Sequence, residues 1–275
     1  MKKKLSDFGK RIFGMLSRND MLILPGQLAF FLLLAVVPTI TLIIYFSSLF
    51  NVSTAFLTDF LTKAFGSEVA KLVIPIINDI QLNPSLLVPL LVALYAASGG
   101  ASSLIVTSNQ LYGIENTNFI HRKIKGLMMT IILIVLVVFL LLIPVFGDKL
   151  IDLIKFINFN DTLTNIFSFT IHLSKTPLSW LLIFFLIKVV YTMAPDDVVP
   201  STCTTKGSLF TTFGLVISTS IYSAYVNNMA HYDVLYGGLS HFVVLMIWFY
   251  IISYILTIGI AINGDDVKIW KNNKK

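Results

Sequence analysis

His231 and Asp233 stand two positions apart, and His241 follows within three helical turns, so one imidazole–carboxylate group is dense enough to weigh as a metal site. A solvated loop histidine and a helix-capping aspartate explain the same residues more simply. Asp196 and Asp197 follow Pro195 and could hold a divalent ion, but such a pair after a helix end reads more plainly as a solvated turn. The remaining histidines, His121 and His172, are scattered. No phosphate-cradling glycine loop, HExxH or GxSxG pattern occurs. A single cysteine, Cys203, excludes an intrachain disulfide and a thiolate metal cluster. The residues therefore predict no catalytic centre, no metal and no cofactor.

Polar and small residues inside long apolar stretches carry more information. Ala96 to Ser103 are eight small residues in succession, with Ser98, Gly99 and Gly100 at their centre. Small residues let helices approach closely, while two adjacent glycines weaken a helix. The run thus reads either as a packing face or as a hinge beside a cavity. Thr107, Ser108, Asn109 and Gln110 add hydrogen-bonding groups towards the end of the same stretch. Asn109 and Tyr112 either cap backbone groups there or line an entrance. Trp248 and Tyr250 fall near the middle of the last apolar stretch, too central for interfacial anchoring, so the indole needs a partner or a cavity. Pro25 and Pro38 are expected to bend the first. No acidic residue lies deep in any apolar stretch, which leaves a buried-carboxylate proton relay without a candidate.

The elements that carry these residues follow from composition. Of 275 residues, 56% are hydrophobic and only 12% charged, against roughly 25% in soluble domains. So few charges cannot solvate a surface of this size, and lipid is the expected solvent. A helix needs about 20 apolar residues to cross a bilayer, and six stretches qualify: 21–50, 86–111, 126–147, 178–193, 207–226 and 238–262. Continuous apolar runs favour helices over a barrel. Lys188 interrupts the fourth span and must snorkel towards the interface. The expected fold is all-α, a polytopic membrane protein of six transmembrane helices with short interfacial helices, spanning 21–264. Fifteen of the twenty lysines and arginines fall on one side of that topology, among them Lys2, Lys3, Lys4, Arg122, Lys123, Lys125, Lys206 and Lys268. Positive charge marks the cytoplasmic side, so both termini are expected in the cytoplasm. The net charge of +6 then needs no nucleic acid. Residues 1–20 place Leu5, Phe8, Ile12 and Leu16 on one basic helical face, which predicts an amphipathic helix on anionic inner-leaflet lipids. Residues 265–275 form a basic tail. Helical spacing also recurs in the outer connections, at Val69–Ile80 and at Leu150, Leu153, Ile154 and Ile157.

Several short motifs in order then carry a family resemblance. They are Leu28–Ala29–Phe30–Phe31 leading to Pro38; Ser98, Asn109, Tyr112 and Gly113; Arg122; Pro195 and Gly207; Leu235–Tyr236–Gly237–Gly238–Leu239; Trp248–Phe249–Tyr250; and Gly259 to Asn263. From about Arg11 to Asp265 the chain resembles the YihY/virulence factor BrkB family of bacterial inner-membrane proteins, formerly labelled ribonuclease BN-like. The resemblance implies a six-helix inner-membrane protein of the cell envelope, for which export or flipping of lipids has been suggested. It also marks Pro195, Gly207, Tyr236, Gly237 and Gly259 as structural positions, and Asn263 remains as a candidate cavity or hinge residue. The family's last helix usually reads Gly-Ala-Glu-x-Asn, and Ala261 here takes the glutamate position. A role that needs that carboxylate is therefore in doubt for this chain.

The functional expectation is a transporter-like protein that exports or flips a lipid or lipid-linked amphiphile, with membrane lipids as partners, a possible homo-oligomeric state and no enzymatic activity. A membrane scaffold or assembly factor is the alternative. A membrane-bound hydrolase is the third class; it rests on His231, Asp233 and His241 alone, because the clustered carboxylates or histidine pairs that phosphodiester hydrolysis uses are not visible.

Overall fold

The structure is a computed structural model that describes residues 20–49, 87–156, 161–228 and 240–273, with isolated positions 14, 55, 58, 59 and 62; side chains are described outside 47–49, 87, 139–176 and 226–242. Six long helices result: α1 (Asp20–Leu49), α2 (Leu87–Tyr112), α3 (Phe119–Phe156), α4 (Asp161–Met193), α5 (Thr205–Asn228) and α6 (Ser240–Asn273). No strand occurs among the described residues. The amphipathic N-terminal segment, the segment at 69–80 and the group of His231, Asp233, Tyr236 and Gly237 lie outside them.

Each helix packs on the next in sequence, and α6 returns to α1, which closes a ring; α1 also touches α3, and α6 also touches α2. Lipid is as apolar as leucine, so such helices associate through close packing and internal hydrogen bonds rather than through the hydrophobic effect. The exterior fits a lipid solvent: Leu22, Ile23, Phe30, Val88, Leu91, Val92, Ile120, Leu181, Ile217 and Ile221 are all exposed. By length and composition, three described helices can cross a membrane, at Asp20–Phe46, Val88–Tyr112 and Val243–Asn273; Pro177–Met193 is a shorter apolar segment.

Helix boundaries differ from the sequence expectation in a consistent way. Helix α3 runs on past the apolar stretch to Phe156, through residues expected to form an outer connection, and α4 begins at Asp161 instead of near 178. Hydropathy marks only the lipid-embedded part of a helix, whereas backbone hydrogen bonding continues into the polar region beyond. The same reason extends α6 to Asn273, so residues 265–273 of the basic tail are the last turns of a helix. Helix α1 continues through Pro25 and Pro38.

Six helix ends meet at one end of the ring. Gln110 Nε2 donates to Asp20 Oδ1 at 2.9 Å, tying the end of α2 to the start of α1. Lys206 pairs with Asp266 at 2.9 Å, and Lys271 with Asp197 at 2.8 Å. We call this the basic end, since Arg122, Lys123, Lys125, Lys206, Lys268 and Lys271 all lie close to it. The largest buried cluster sits just inside, around Tyr112, Tyr191, Leu28, Ile105, Met129 and Ile260. A second cluster joins α1, α2 and α3 through Ile40, Ile44, Ala97 and Ile134.

Candidate functional site

Helix α2 stops because Gly113 takes φ 64°, the left-handed region glycine enters freely. Ile114 N–H then reaches the Asn109 carbonyl at 2.8 Å and Gly113 N–H the Gln110 carbonyl at 3.3 Å, closing a Schellman motif. The chain turns through Glu115, Asn116 and Thr117, and Asn118 opens α3 as an N-cap whose side chain accepts from His121 N–H. This tight turn aims Asn109 and Thr117 at the connection between α4 and α5.

Asp196 receives them. Its Oδ2 accepts from Asn109 Nδ2 at 2.8 Å, Thr117 N–H at 3.1 Å and Thr117 Oγ1 at 3.0 Å. Its Oδ1 accepts from Lys125 Nζ at 3.0 Å, and Lys125 also donates to the Pro195 carbonyl. In return Asp196 N–H donates to Asn109 Oδ1 at 2.8 Å, and Asn109 Nδ2 further reaches Asn116 Oδ1. The Asp196 side chain is only 3% exposed. Burial alone would raise its pKa, but donation from Thr117, Lys125 and Asn109 outweighs that and holds it at about 2. The carboxylate is therefore charged at every physiological pH and has no proton to give as a general acid there. The expected solvated turn is thus half right. Asp197 is exposed and meets only Lys271, whereas Asp196 is a buried hub joining α2, the α2–α3 turn, α3 and the α4–α5 connection.

Deeper in the bundle, α5 and α6 cross at Gly207 and Gly259. A Cβ on Gly207 would fall 2.0 Å from the Gly259 carbonyl oxygen, and one on Gly259 would fall 2.0 Å from Thr211 Oγ1. Only glycine permits this approach. It brings Asn263 Oδ1 to within 2.7 Å of Gly207 N–H, one of the first-turn amides that α5 cannot satisfy itself. Tyr191 reaches in from α4, its hydroxyl 2.6 Å from Thr211 Oγ1 and donating to the Leu256 carbonyl at 2.8 Å. Asn263 Nδ2 and the Tyr112 hydroxyl lie buried beside one another without closing a hydrogen bond of good geometry.

The other candidates separate. Helix α2 is continuous through the small-residue run. Gly99 faces Phe31 and Gly100 lies against Leu32 and Ala35, all on α1, while Ser98 and Ser102 back onto Gly126 of α3. Pro38 sits within α1. Trp248 stacks on Tyr222 with ring centroids 4.8 Å apart, whereas Tyr250 points outward beside Tyr254. Among the candidates, Asn109 and Pro195 join the Asp196 hub, and Tyr112, Gly207, Gly259 and Asn263 join the crossing below it. Asp196 and Lys125 were legible only as a turn and a topological charge, because nothing in their spacing announces a pairing across 71 residues. Among the described residues no three of His, Cys, Asp and Glu converge as metal ligands would.

Comparison with known proteins agrees with this picture of an apolar helical bundle. The chain is similar to the putative ribonuclease-like protein YfkH of Bacillus subtilis (strain 168), at 26% identity over 262 residues and 94% of each chain. No solved structure matches it. The family model described as virulence factor BrkB matches residues 12–267, so nearly the whole chain is covered, and the protein belongs to the virulence factor BrkB family.

Proposed function

We propose that the protein is a six-span membrane protein, with both termini in the cytoplasm, that moves an amphipathic envelope compound such as a lipid across the bilayer. One observation carries this reading: amid a largely apolar core the bundle buries a set of polar side chains. Ser98, Ser103, Thr107, Ser108, Asn109, Thr204, Ser208, Thr211, Thr212, Ser253, Thr257 and Asn263 are all buried, while many large apolar side chains such as Leu22, Phe30, Val92 and Ile221 are exposed. Buried polar groups in a lipid-facing helix are costly unless they pair or function. Several meet their own helix, as Thr257 and Thr212 do by donating to the carbonyls of Ser253 and Ser208. The hydroxyls of Ser103 and Ser253 find no such partner. A route for a polar headgroup through an apolar bundle needs a lining of this kind. The clustering of Arg122, Lys123 and Lys125 at the start of α3, with Lys206, Lys268 and Lys271 at the same end, supports a cytoplasmic basic end.

A membrane scaffold without transport is the second reading, and the glycine crossing favours it, since backbones in contact leave no space between α5 and α6. The term "ribonuclease-like" belongs to the Bacillus relative; in this chain Asp196 is engaged by four donors and has no second carboxylate in the hub. Reconstitution into vesicles separates the readings. A transporter accelerates movement of labelled lipids relative to empty vesicles and slows on Gly99→Leu/Gly100→Leu, whereas a scaffold leaves the two rates equal.

A further inference from the structure

The connection between α4 and α5, residues 194–204, is held by its side chains more than by its backbone. Ala194 N–H and Cys203 N–H close local turns on the Val190 and Pro200 carbonyls. Val199 and Cys203 point inward and join the buried cluster that contains Tyr112, Ala261 and Val267, while Val198 beside them is 85% exposed. Tyr112 lies in the same cluster, and both it and Asn263 are essentially fully buried, with the Tyr112 hydroxyl and Asn263 Nδ2 facing one another without a hydrogen bond of good geometry. Buried donors held in poor geometry gain full hydrogen bonds when water reaches them. The segment is thus held by Asp196 in the hub, by Asp197 on Lys271 and by Thr204 on Thr192, over the buried side chains of Tyr112 and Asn263.

We infer that residues 194–204 form a lid over the basic end of the bundle, clasped shut by Asp196, and that lifting it admits water to Tyr112 and Asn263. The clasp joins two helical hairpins: Asn109, Thr117 and Lys125 belong to α2, the turn and α3, and Asp196 to the connection between α4 and α5. Four of its bonds converge on the Asp196 carboxylate, and the bonds from Asp196 N–H to Asn109 Oδ1 and from Lys125 to the Pro195 carbonyl cross the same seam. The charged groups facing Asp196 are Lys125 on α3 and, through the neighbouring Asp197, Lys271 on α6. Lys206 and Asp266 pair with each other elsewhere on the same end and take no part. The inference holds whatever compound the protein moves, because it concerns access from the basic end alone.

Cys203 makes the lid directly testable, as it is the only thiol in the chain and is shielded by the lid itself. The reagent is a charged, membrane-impermeant methanethiosulfonate, applied to purified protein in detergent and read by mass spectrometry. The lid predicts slow labelling of the wild type and labelling more than about tenfold faster in Asp196→Asn and in Lys125→Met, since tenfold corresponds to only about 1.4 kcal/mol of opening free energy. Lys206→Met, which removes an exposed pair at the same end, should label at the wild-type rate. Equal rates in all four proteins would overturn the lid, and so would equal acceleration in the Lys206→Met control. Hydrogen exchange on the wild type guards against a variant that fails to fold. Asp196 N–H and Thr117 N–H, bonded in opposite directions across the clasp, should exchange through one opening with matching protection. Protection differing by more than about tenfold would show that the clasp does not open as a unit.

Discussion

Asp196→Asn changes one charge and almost no volume, so its cost can be worked from the carboxylate's own titration. The native pKa is about 2 against an ordinary 3.8. A depression of almost two pH units corresponds to about 2.5 kcal/mol of preference for the charged form, at about 1.4 kcal/mol per unit. With the side chain 3% exposed, little of this is lost to solvent screening. The sign follows from linkage. A depressed carboxylate stabilises the fold fully above its unfolded pKa, near 4, and that contribution is lost as pH falls through the folded value of about 2. The variant should therefore unfold earlier than the wild type by about 5–10 °C at neutral pH, taking 2–4 °C per kcal/mol for a chain of this size. The gap should be constant from pH 8 to 5 and close towards pH 2. Thermal unfolding in mild detergent, followed by tryptophan fluorescence at several pH values, reads this directly. A gap below about 1 °C at neutral pH, or one that persists unchanged at pH 2, would refute the reasoning.

Gly207→Ala and Gly259→Ala each place a Cβ 2.0 Å from a backbone or hydroxyl oxygen, so both should cost about 1–3 kcal/mol or more, despite alanine's higher helix propensity; size-exclusion profile and melting temperature check this. Gly264→Ala is the control, since its nearest neighbour lies at 3.5 Å, and it should be neutral or stabilising by up to about 1 kcal/mol. Gly126→Ala puts a Cβ 2.5 Å from Ser102 Oγ and should destabilise, and the second substitution Ser102→Ala should restore most of the loss in a double-mutant cycle. Asn263→Ala removes the acceptor of Gly207 N–H and should cost about 1 kcal/mol or more by thermal melt.

Hydropathy and charge placement made the helices legible, because lipid imposes a strong constraint on composition. The ends of α3, α4 and α6 were not legible, since polar helical turns outside the apolar slab carry no hydropathy signal. Within the site, Gly207, Gly259 and Asn263 stood out through their resemblance to family motifs, and the structure supplies the reason: a backbone crossing that admits no Cβ, sealed by one carboxamide. The reading of Asn109 as a cap agrees with its acceptance of Asp196 N–H, although the capped group lies 87 residues away. Asp196 is the instructive miss. An Asp-Asp pair after proline looks like a solvated turn, and only the fold reveals that Lys125, Thr117 and Asn109 reach the first carboxylate and leave the second at the surface. Such long-range convergence leaves no periodic trace in the sequence.

The claim that the buried polar side chains serve movement of an amphiphile is tested most directly in proteoliposomes loaded with a fluorescent lipid, with an impermeant quencher added outside. Protein that moves lipid predicts that the quencher reaches the inner-leaflet label as it equilibrates outward, faster than in empty vesicles and more slowly with Gly99→Leu/Gly100→Leu. If quenching stops at the outer leaflet in the presence of folded protein, for neutral and charged lipids alike, the account is contradicted and the bundle is a scaffold.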